Sequence, residues 1–354
     1  MNLRNRYICI RLLQESFDSN QFTNSIVSNY FYNNNLDEQS KKNISKMVLG
    51  TVRMLGRYDY ILSDIYNGKY KDLKLILKNI LRLGCYQIEE MNSIPNHAAV
   101  STSVEIAKKK ILGYHGLVNA LLRKFISIKG SYSFNPNNAN SFKLLSHPSW
   151  LTNNWIDSFG VEKTLEICEH NNKEPDIWFR VNDENNFKEI FNYIEDSELK
   201  FHDIDSSFFK VSSPFKLIDS NYFKSGLLTI QNPLNGAIVK LLNPANSDTI
   251  IDGCSAPGGK GSFMSILAPK ATIYSIDNNK NRLNKLLETI SRHRITNIKP
   301  LMLDMSLDTL PIANKILIDV PCSGTGVINR RVDLRWKRTL NHIEKSSRIQ
   351  YNIL

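Results

Sequence analysis

The sequence predicts a multi-domain chain, an all-helical front followed by an α/β domain built on a parallel sheet. Three observations carry that prediction. Apolar, β-branched runs recur between residues 248 and 319, and the later ones stop at an acidic residue. A tight turn, Pro257-Gly258-Gly259, stands between the first of these runs and an apolar-periodic segment opening at Phe263. Ahead of residue 135, apolar residues fall at helical spacing.

The first run is Thr249-Ile250-Ile251. Strand, glycine loop and helix form the layout that brings backbone N–H groups to a small polar ligand at a helix N-terminus. The loop is not a Walker loop, because Cys254 stands where the leading Gly belongs and Lys260 precedes Gly261 rather than Ser or Thr. A nucleoside-bearing ligand without a triphosphate is the better expectation. The run Ala271 to Ile276 reads as a second strand ending at Asp277, 25 residues after Asp252. An acid at roughly that spacing is the ribose-hydroxyl ligand of a dinucleotide-type sheet. A third strand, Ile298 to Leu303, stops at Asp304, and a fourth, Lys315 to Ile318, stops at Asp319. Any one of these acids could instead be a helix N-cap. Three in phase with a glycine loop favour a ligand crevice. The fourth strand runs into Asp319-Val320-Pro321-Cys322-Ser323-Gly324-Thr325-Gly326, where Pro321 ends the strand and Gly324 and Gly326 allow close approach of a flat substrate.

In the front part, Leu73, Ile76, Leu77, Ile80, Leu81 and Gly84 share one helix face, with Asp72 placed to cap its start. Ser103 to Lys110 and Leu117 to Phe125 repeat the period. Ser131 to Asn140 is a polar, Asn-rich linker. Trp150, Trp155 and His147 read as packing groups. Pro175 to Asn182 reads as a strand, Asn186 to Asp196 as a helix, and Lys200 to Ser212 as further strands. Arg180 and Asn182 are open to two readings, RNA contact or ordinary edge strand.

A chain of 354 residues that is 42% hydrophobic can bury a sizeable core. No apolar run approaches the ~20 residues of a membrane span. Arg11 breaks the apolar stretch after the basic N-terminus before it can serve as a signal sequence. A cytoplasmic protein with no membrane partner is expected. The five cysteines form no CxxC pair and the seven histidines no metal spacing, so neither a disulfide framework nor a metal site is expected. The net charge of +11 points to an acidic partner. Residues 1–140 carry 19 Lys and Arg against 10 Asp and Glu, and the remainder 26 against 24, so the front is the basic part. RNA capture by that front, ahead of a near-neutral domain, fits this distribution.

The block Cys254-Ser255-Ala256-Pro257-Gly258-Gly259-Lys260 together with Asp319-Val320-Pro321-Cys322-Ser323-Gly324 resembles the Sun/RsmB-type (NOL/NOP/Sun) RNA cytosine-5 methyltransferases. Asn96 to Val100 and Val118 to Lys124 resemble the NusB fold. Ser146-His147-Pro148-Ser149-Trp150-Leu151 resembles the family's join between its parts, and Val327 to Arg338 resembles its GVIRRxPDxKW segment. The resemblance implies an all-α NusB-like N-terminal domain followed by an α/β Rossmann-like class I methyltransferase domain whose sheet is incomplete at the C-terminus. The expected divisions are a helical RNA-binding domain over 1–135, a linker over 136–160, a small α/β lobe over 161–225 and the methyltransferase domain over 226–354.

The resemblance also implies roles. Cys254, Ser255, Ala256, Pro257, Gly258, Gly259, Lys260, Asp277, Asp304 and Asp319 are expected to hold S-adenosylmethionine. Asp319 would also meet the N3 edge of a cytosine in 16S rRNA, giving 5-methylcytosine. Cys322 would assist product release, with the main nucleophile in a Thr-Cys-Ser motif that would fall beyond Leu354. Two alternatives stay open: that Cys322 itself attacks, or that it is a small buried residue. Arg330, Arg331, Arg335 and Lys337, clustered around Trp336, and Arg123 and Lys124 in the front part, are the expected RNA contacts. The sequence departs from the family at Asn232, where Asp is usual, and at Gly261, where Thr is common. The missing motif and the four readable strands suggest a truncated enzyme with an unpaired sheet edge and poor solubility. A monomer is expected. The rival function is an inactive NusB-like RNA-binding protein, and a nicotinamide dehydrogenase is disfavoured by the absence of GxGxxG.

Overall fold

The structure is a computed structural model that describes residues 3–135, 141–197, 201–205 and 207–354. The chain divides into two units, Met1–Pro175 with Ser323–His342, and Asp176–Cys322 with Ile343–Leu354.

The first unit is helical. Its front holds helices Leu3–Asp18, Thr23–Asn33, Glu38–Arg53, Leu55–Ile65, Leu75–Glu90, Asn96–Lys110 and His115–Ser127. Leu75–Glu90 is the central one: every residue from Asn79 to Ile88 is buried, not one face alone. The single apolar stripe understates this, because Asn79, Arg82 and Gln87 are buried with partners. Arg82 forks onto both oxygens of Asp59 at 2.8 and 2.7 Å, and Arg6 donates to Gln87 at 2.6 Å. Asp72 does not cap this helix. It closes a short 3₁₀ turn, Tyr70–Asp72, and the helix starts after Lys74.

The expected linker and lobe boundaries move. Residues 136–140 lie outside the described residues, but Ser141–Leu144 and Ser149–Asn172 are helical and belong to the first unit. Gly160, at φ 79°, breaks the long helix and hides its apolar period. Trp155, Leu151 and Cys168 are buried with Phe142, Ile328 and Leu334, so the tryptophans are packing groups. His147 is buried against the Trp155 ring at 5.7 Å, and that burial, with Arg335 nearby, holds its imidazole well below the usual histidine range.

Residues 323–342 also pack here rather than with the α/β part. Val332 and Trp336 join the helical core, and the Trp336 indole donates to the Val52 carbonyl at 2.8 Å while lying against Gly56. Arg335, expected to grip RNA, is 1% exposed. Its guanidinium donates to the carbonyls of Arg53, Ser146 and Asn171 and to Asn172 Oδ1, at 2.8 to 3.3 Å. Both terminal nitrogens are held by buried acceptors and Nε, though without a partner, is shut away from solvent, so the group does not reach phosphate. Lys337 is likewise tied, to the Gln21 carbonyl at 2.5 Å and Asp333 at 3.1 Å.

The second unit carries two sheets. The small lobe is antiparallel, with strands β1 (Trp178–Val181), β2 (Phe201–Asp205), β3 (Phe208–Val211) and β4 (Leu228–Ile230) in the order β2-β3-β1-β4. Helix Phe187–Asp196 buries Ile190 and Ile194 against Phe179, Phe209 and Leu228. β4 pairs with β1, so the lobe extends past residue 225. The parallel sheet holds β5 (Thr249–Gly253), β6 (Thr272–Ile276), β7 (Ile298–Leu301) and β8 (Lys315–Ile318) in the order β7-β6-β5-β8. Its four strands are those the sequence predicts. Ile250, Ile273 and Leu317 meet Phe263, Met264 and Val239 beneath it.

Replacing Arg335 by Met removes the guanidinium donor from the buried carbonyls of Ser146 and Asn171, while the Arg53 carbonyl keeps the Ser146 hydroxyl at 2.7 Å. The expected loss is about 2–4 kcal/mol of stability, read as a lower urea midpoint for the first unit, whereas an unchanged midpoint contradicts the assignment.

Candidate active site

The C-terminal ends of β5 to β8 face one edge, as a parallel sheet requires. Cys254 follows β5 in the left-handed region, at φ 57°, and Gly258 follows at φ 96° before helix Gly259–Leu267. These conformations fold the loop back on itself. The Ser255 N–H donates to the Ile276 carbonyl at 2.9 Å, which fastens the loop to β6, and Thr289 Oγ1 donates to the Pro257 carbonyl at 2.8 Å. A side chain at Gly258 would strike Leu286 at 2.5 Å, so glycine is required there twice over.

Arg180 is the brace behind the loop. It is fully buried on β1, and Nη1 donates to Gln231 Oε1 at 2.5 Å and to the Gly259 carbonyl at 3.2 Å. Nη2 donates to Ser262 Oγ at 3.0 Å and to Asn182 Oδ1 at 2.9 Å. The guanidinium lies 4.6 Å from the Phe263 ring centroid. Burial, reinforced by Arg292, lowers its pKa to about 9. Of the two readings of Arg180, RNA contact fails, because no face of the group is open. Asn182 is engaged with Gly226 and Thr229 in the same layer. Asn232, the departure from Asp, caps helix Pro233–Leu242 by accepting from the Leu234 N–H at 2.9 Å, a task that Asn performs as well as Asp.

A cavity of about 300 Å³ opens beside the loop, lined by Cys254, Asp277, Arg282, Asp304, Met305 and Pro321 among others. Asp277 is 2% exposed. Its Oδ1 accepts from the Asn279 N–H at 3.0 Å and from Arg282 at 3.1 Å, while Oδ2 has no partner. A buried carboxylate oxygen left open at a cavity wall is suited to accept a hydroxyl. Asp304 lines the same cavity, but both its oxygens are taken. Oδ1 accepts from the Ser306 N–H and hydroxyl, and Oδ2 from Asn278 at 2.9 Å. The Ser306 hydroxyl and Asn278 hold its carboxyl below the usual carboxylate range. Asp304 thus works as a turn cap, and its place on the wall positions Asn278. Asp319 pairs with Lys260, with the carboxylate more than half exposed and the ammonium mostly covered. Ser255, Ala256, Pro257, Gly258 and Gly259 form the loop itself.

Of the five cysteines, Cys9, Cys85 and Cys168 are buried, Cys254 is partly buried and Cys322 is exposed. The buried-residue reading of Cys322 therefore falls. Burial, then Asp277, pushes the Cys254 thiol up. Arg331 is exposed over the Phe22 ring at 5.1 Å, Arg330 is half-buried, Arg123 is exposed with Nε on Asn119, and Lys124 donates to the Ile65 carbonyl at 3.0 Å.

Asp252 is a functional candidate that spacing alone did not reveal. It is 1% exposed beneath the loop, with Ser275 Oγ 3.5 Å from Oδ2 and no partner on Oδ1. A Cβ at position 261 would lie 2.7 Å from Asp252 Oδ2, so glycine lets helix Gly259–Leu267 close over that carboxyl.

A model of the 16S rRNA methyltransferase RsmB/F family matches residues 239–354, a NusB family model matches 3–127, and an RsmF/B-like ferredoxin-like domain model matches 147–204. Over residues 239–354 the chain is similar to the RsmB/F family, and the helical front and the small lobe match the models that go with it. A probable ribosomal RNA small subunit methyltransferase B of Bacillus subtilis is 28% identical over 99% of this chain and 80% of its own length. The ribosomal RNA small subunit methyltransferase B of Proteus mirabilis is 29% identical over 90% of this chain and 76% of its own. The solved structure titled PH0851 shares the fold over the whole chain, with a TM-score of 0.79 at 20% identity, covering 82% of that chain. NSun6 from Pyrococcus horikoshii, solved with SFG, matches 58% of this chain and 78% of its own at a TM-score of 0.52 and 22% identity.

The cofactor of the RsmB/F family is S-adenosylmethionine. The residues present fit it: an open carboxylate oxygen on Asp277 for a sugar hydroxyl, a partly apolar wall at Met305, and a glycine turn without room for side chains. Among the described residues no helix is long and apolar enough to cross a membrane.

Burial raises the Asp252 carboxyl from its ordinary 3.8 to about 7, with Lys260 opposing and Asp319 adding to the rise. The folded state therefore holds a proton that the unfolded chain releases, and the stability tied to it fades as pH climbs from 3.8 toward 7. Asp252→Asn removes that dependence. The variant is expected to gain in thermal midpoint over the parent at about pH 8 relative to about pH 5, and a constant difference between the two pH values contradicts the burial argument.

Proposed function

We propose that this chain methylates carbon 5 of a cytosine in small-subunit ribosomal RNA, with S-adenosylmethionine as donor. The observation that carries the proposal is the unpartnered, buried Asp277 oxygen at a cavity beside the braced glycine loop, in the stretch that matches the RsmB/F family model. Asp277 takes the sugar hydroxyls, Cys254 and the turn through Gly259 back the nucleoside, and Arg282 fixes the Asp277 carboxylate. Bound in this cavity, the cofactor supplies a methyl group activated on sulfonium.

Cytosine C5 is a weak nucleophile until a thiolate adds to C6, which makes C5 enamine-like. The base must first leave its stack. As the thiolate adds at C6, N3 takes a proton from water, and Asp319, held by Lys260, accepts the hydrogen bond of that N3–H; the proton returns to water when elimination restores the ring. After methylation, loss of the C5 proton expels the thiolate and restores the ring. Cys322 is the exposed thiol of the chain and stands three residues after Asp319. It serves either as the attacking thiolate or as the base that takes the C5 proton. Of the expected RNA contacts, Arg330, Arg331 and Arg123 keep donors for phosphate, Arg123 with only Nε engaged, on Asn119.

Calorimetric titration with S-adenosylmethionine is expected to show saturable binding, weakened about tenfold or more in Asp277→Ala. No binding by the parent chain, with RNA binding retained, favours an inert RNA-binding protein instead. RNA carrying 5-fluorocytosine blocks the final elimination. A covalent adduct with the parent chain and none with Cys322→Ala makes Cys322 the nucleophile, whereas an adduct surviving that substitution excludes it from attack.

A further inference from the structure

A second polar cavity, of about 430 Å³, lies wholly within the first unit, away in sequence from the glycine loop. That volume falls in the range of small-molecule sites. Its floor is Arg53, Gly50 and Tyr86, and its exposed rim carries Lys46 and Lys173 together with Glu90, Glu169 and Glu174. Arg53 is 5% exposed and Tyr86 3%. One Arg53 nitrogen, Nη2, reaches the Asn329 carbonyl at 3.3 Å, but Nε has no partner. Glu90 and Glu174 act on Arg53 through their charge but accept no hydrogen bond from it, and a buried guanidinium donor without a partner, in a residue that lines a cavity, is costly. Gly50 is part of the construction. A Cβ there would sit 2.2 Å from the Tyr86 ring, so only glycine lets the ring lie against helix Glu38–Arg53 and leave the cavity open.

The donor and acceptor set narrows the occupant. The floor offers a guanidinium donor, and the rim offers carboxylate acceptors beside two ammonium groups. A bare anion would meet the three glutamates, and a bare cation would meet Arg53 and the lysines. A flat heterocycle with acceptors on one edge and two adjacent donors on another satisfies both sides. Guanine has O6 and N7 for a guanidinium, and N1–H with the N2 amino group for one carboxylate. Adenine lacks both pairs, and cytosine, with acceptors at O2 and N3, lacks the two adjacent donors.

We propose that this cavity binds a guanine base, with Arg53 on its O6/N7 edge, a rim glutamate on its N1/N2 edge, and Lys46 or Lys173 on an attached phosphate. The source is either a guanosine in RNA or a free guanine nucleotide. The RNA source rests on the function proposed above, but the site itself does not.

The test is calorimetric titration of the full chain with guanosine, adenosine and cytidine 5′-monophosphates, and with the trinucleotide adenosine-guanosine-adenosine. The guanosine monophosphate is expected to saturate, with the other two monophosphates weaker by about tenfold or more. The double substitution Glu90→Gln/Glu174→Gln is expected to reduce guanosine monophosphate affinity about tenfold, with S-adenosylmethionine binding unchanged as the check on folding. Tighter binding of the trinucleotide than of the monophosphate identifies RNA as the source, and the reverse identifies the free nucleotide. No saturation by either guanine ligand up to ~10 mM, equal affinity for adenosine monophosphate, or indifference to the double substitution overturns the proposal. None of these results bears on methyl transfer, which fails or stands by cofactor titration alone.

Discussion

The site depends on one buried cation. Arg180 sits at the centre of β1 with no carboxylate beside it and no access to water. An isolated charge in such a place is expensive, and what holds it are neutral acceptors and an aromatic face. Two of those acceptors, the Gly259 carbonyl and Ser262 Oγ, belong to the glycine loop and its helix, and two, Gln231 and Asn182, to the small lobe. The lobe therefore does more than precede the catalytic sheet. It supplies the donor that fixes where the loop turns, and Gln231 repeats the contact with its own Nε2 at 3.0 Å from the same Gly259 carbonyl.

Electrostatics around the loop follow from that arrangement. The carboxyl groups of Asp252, Asp277 and Asp319 serve different ends because their surroundings differ. Asp252 is desolvated and holds its proton toward neutral pH. Asp319 is exposed and paired. Asp277 is buried but fastened by Arg282 and a backbone N–H, with one oxygen left for a ligand. In the mechanism proposed Asp319 thus acts as substrate acceptor and Asp277 as cofactor acceptor, while Asp252, of the same residue type, is a buried group that takes no part in it.

Much of this was legible in the sequence, for physical reasons. The central strands β5 and β6 are largely buried on both faces, so they stand out as short apolar segments, and the Asp that follows each of β6 and β8 marks the C-terminal edge of a parallel sheet. The front helices were equally plain. What the sequence concealed was pairing at a distance. β4 looks like the approach to the cofactor loop and instead completes the lobe by pairing with β1. Arg335 reads as a surface basic group because it follows Arg330 and Arg331, yet carbonyls from three remote segments consume it. Arg180 and Asp252 were hidden for the same reason: a buried charge is recognised by what surrounds it, and local pattern does not report that. Gly160 masked a helix by interrupting its period.

The central claim is that the lobe's buried guanidinium sets the glycine loop for the cofactor. The most direct measurement is the S-adenosylmethionine affinity of Arg180→Met, a side chain of similar length that keeps the packing on Phe263 and removes the donors. A fall of about tenfold or more, with the secondary structure of the variant intact, is the result this account predicts. Parent-like affinity in a folded variant would contradict it.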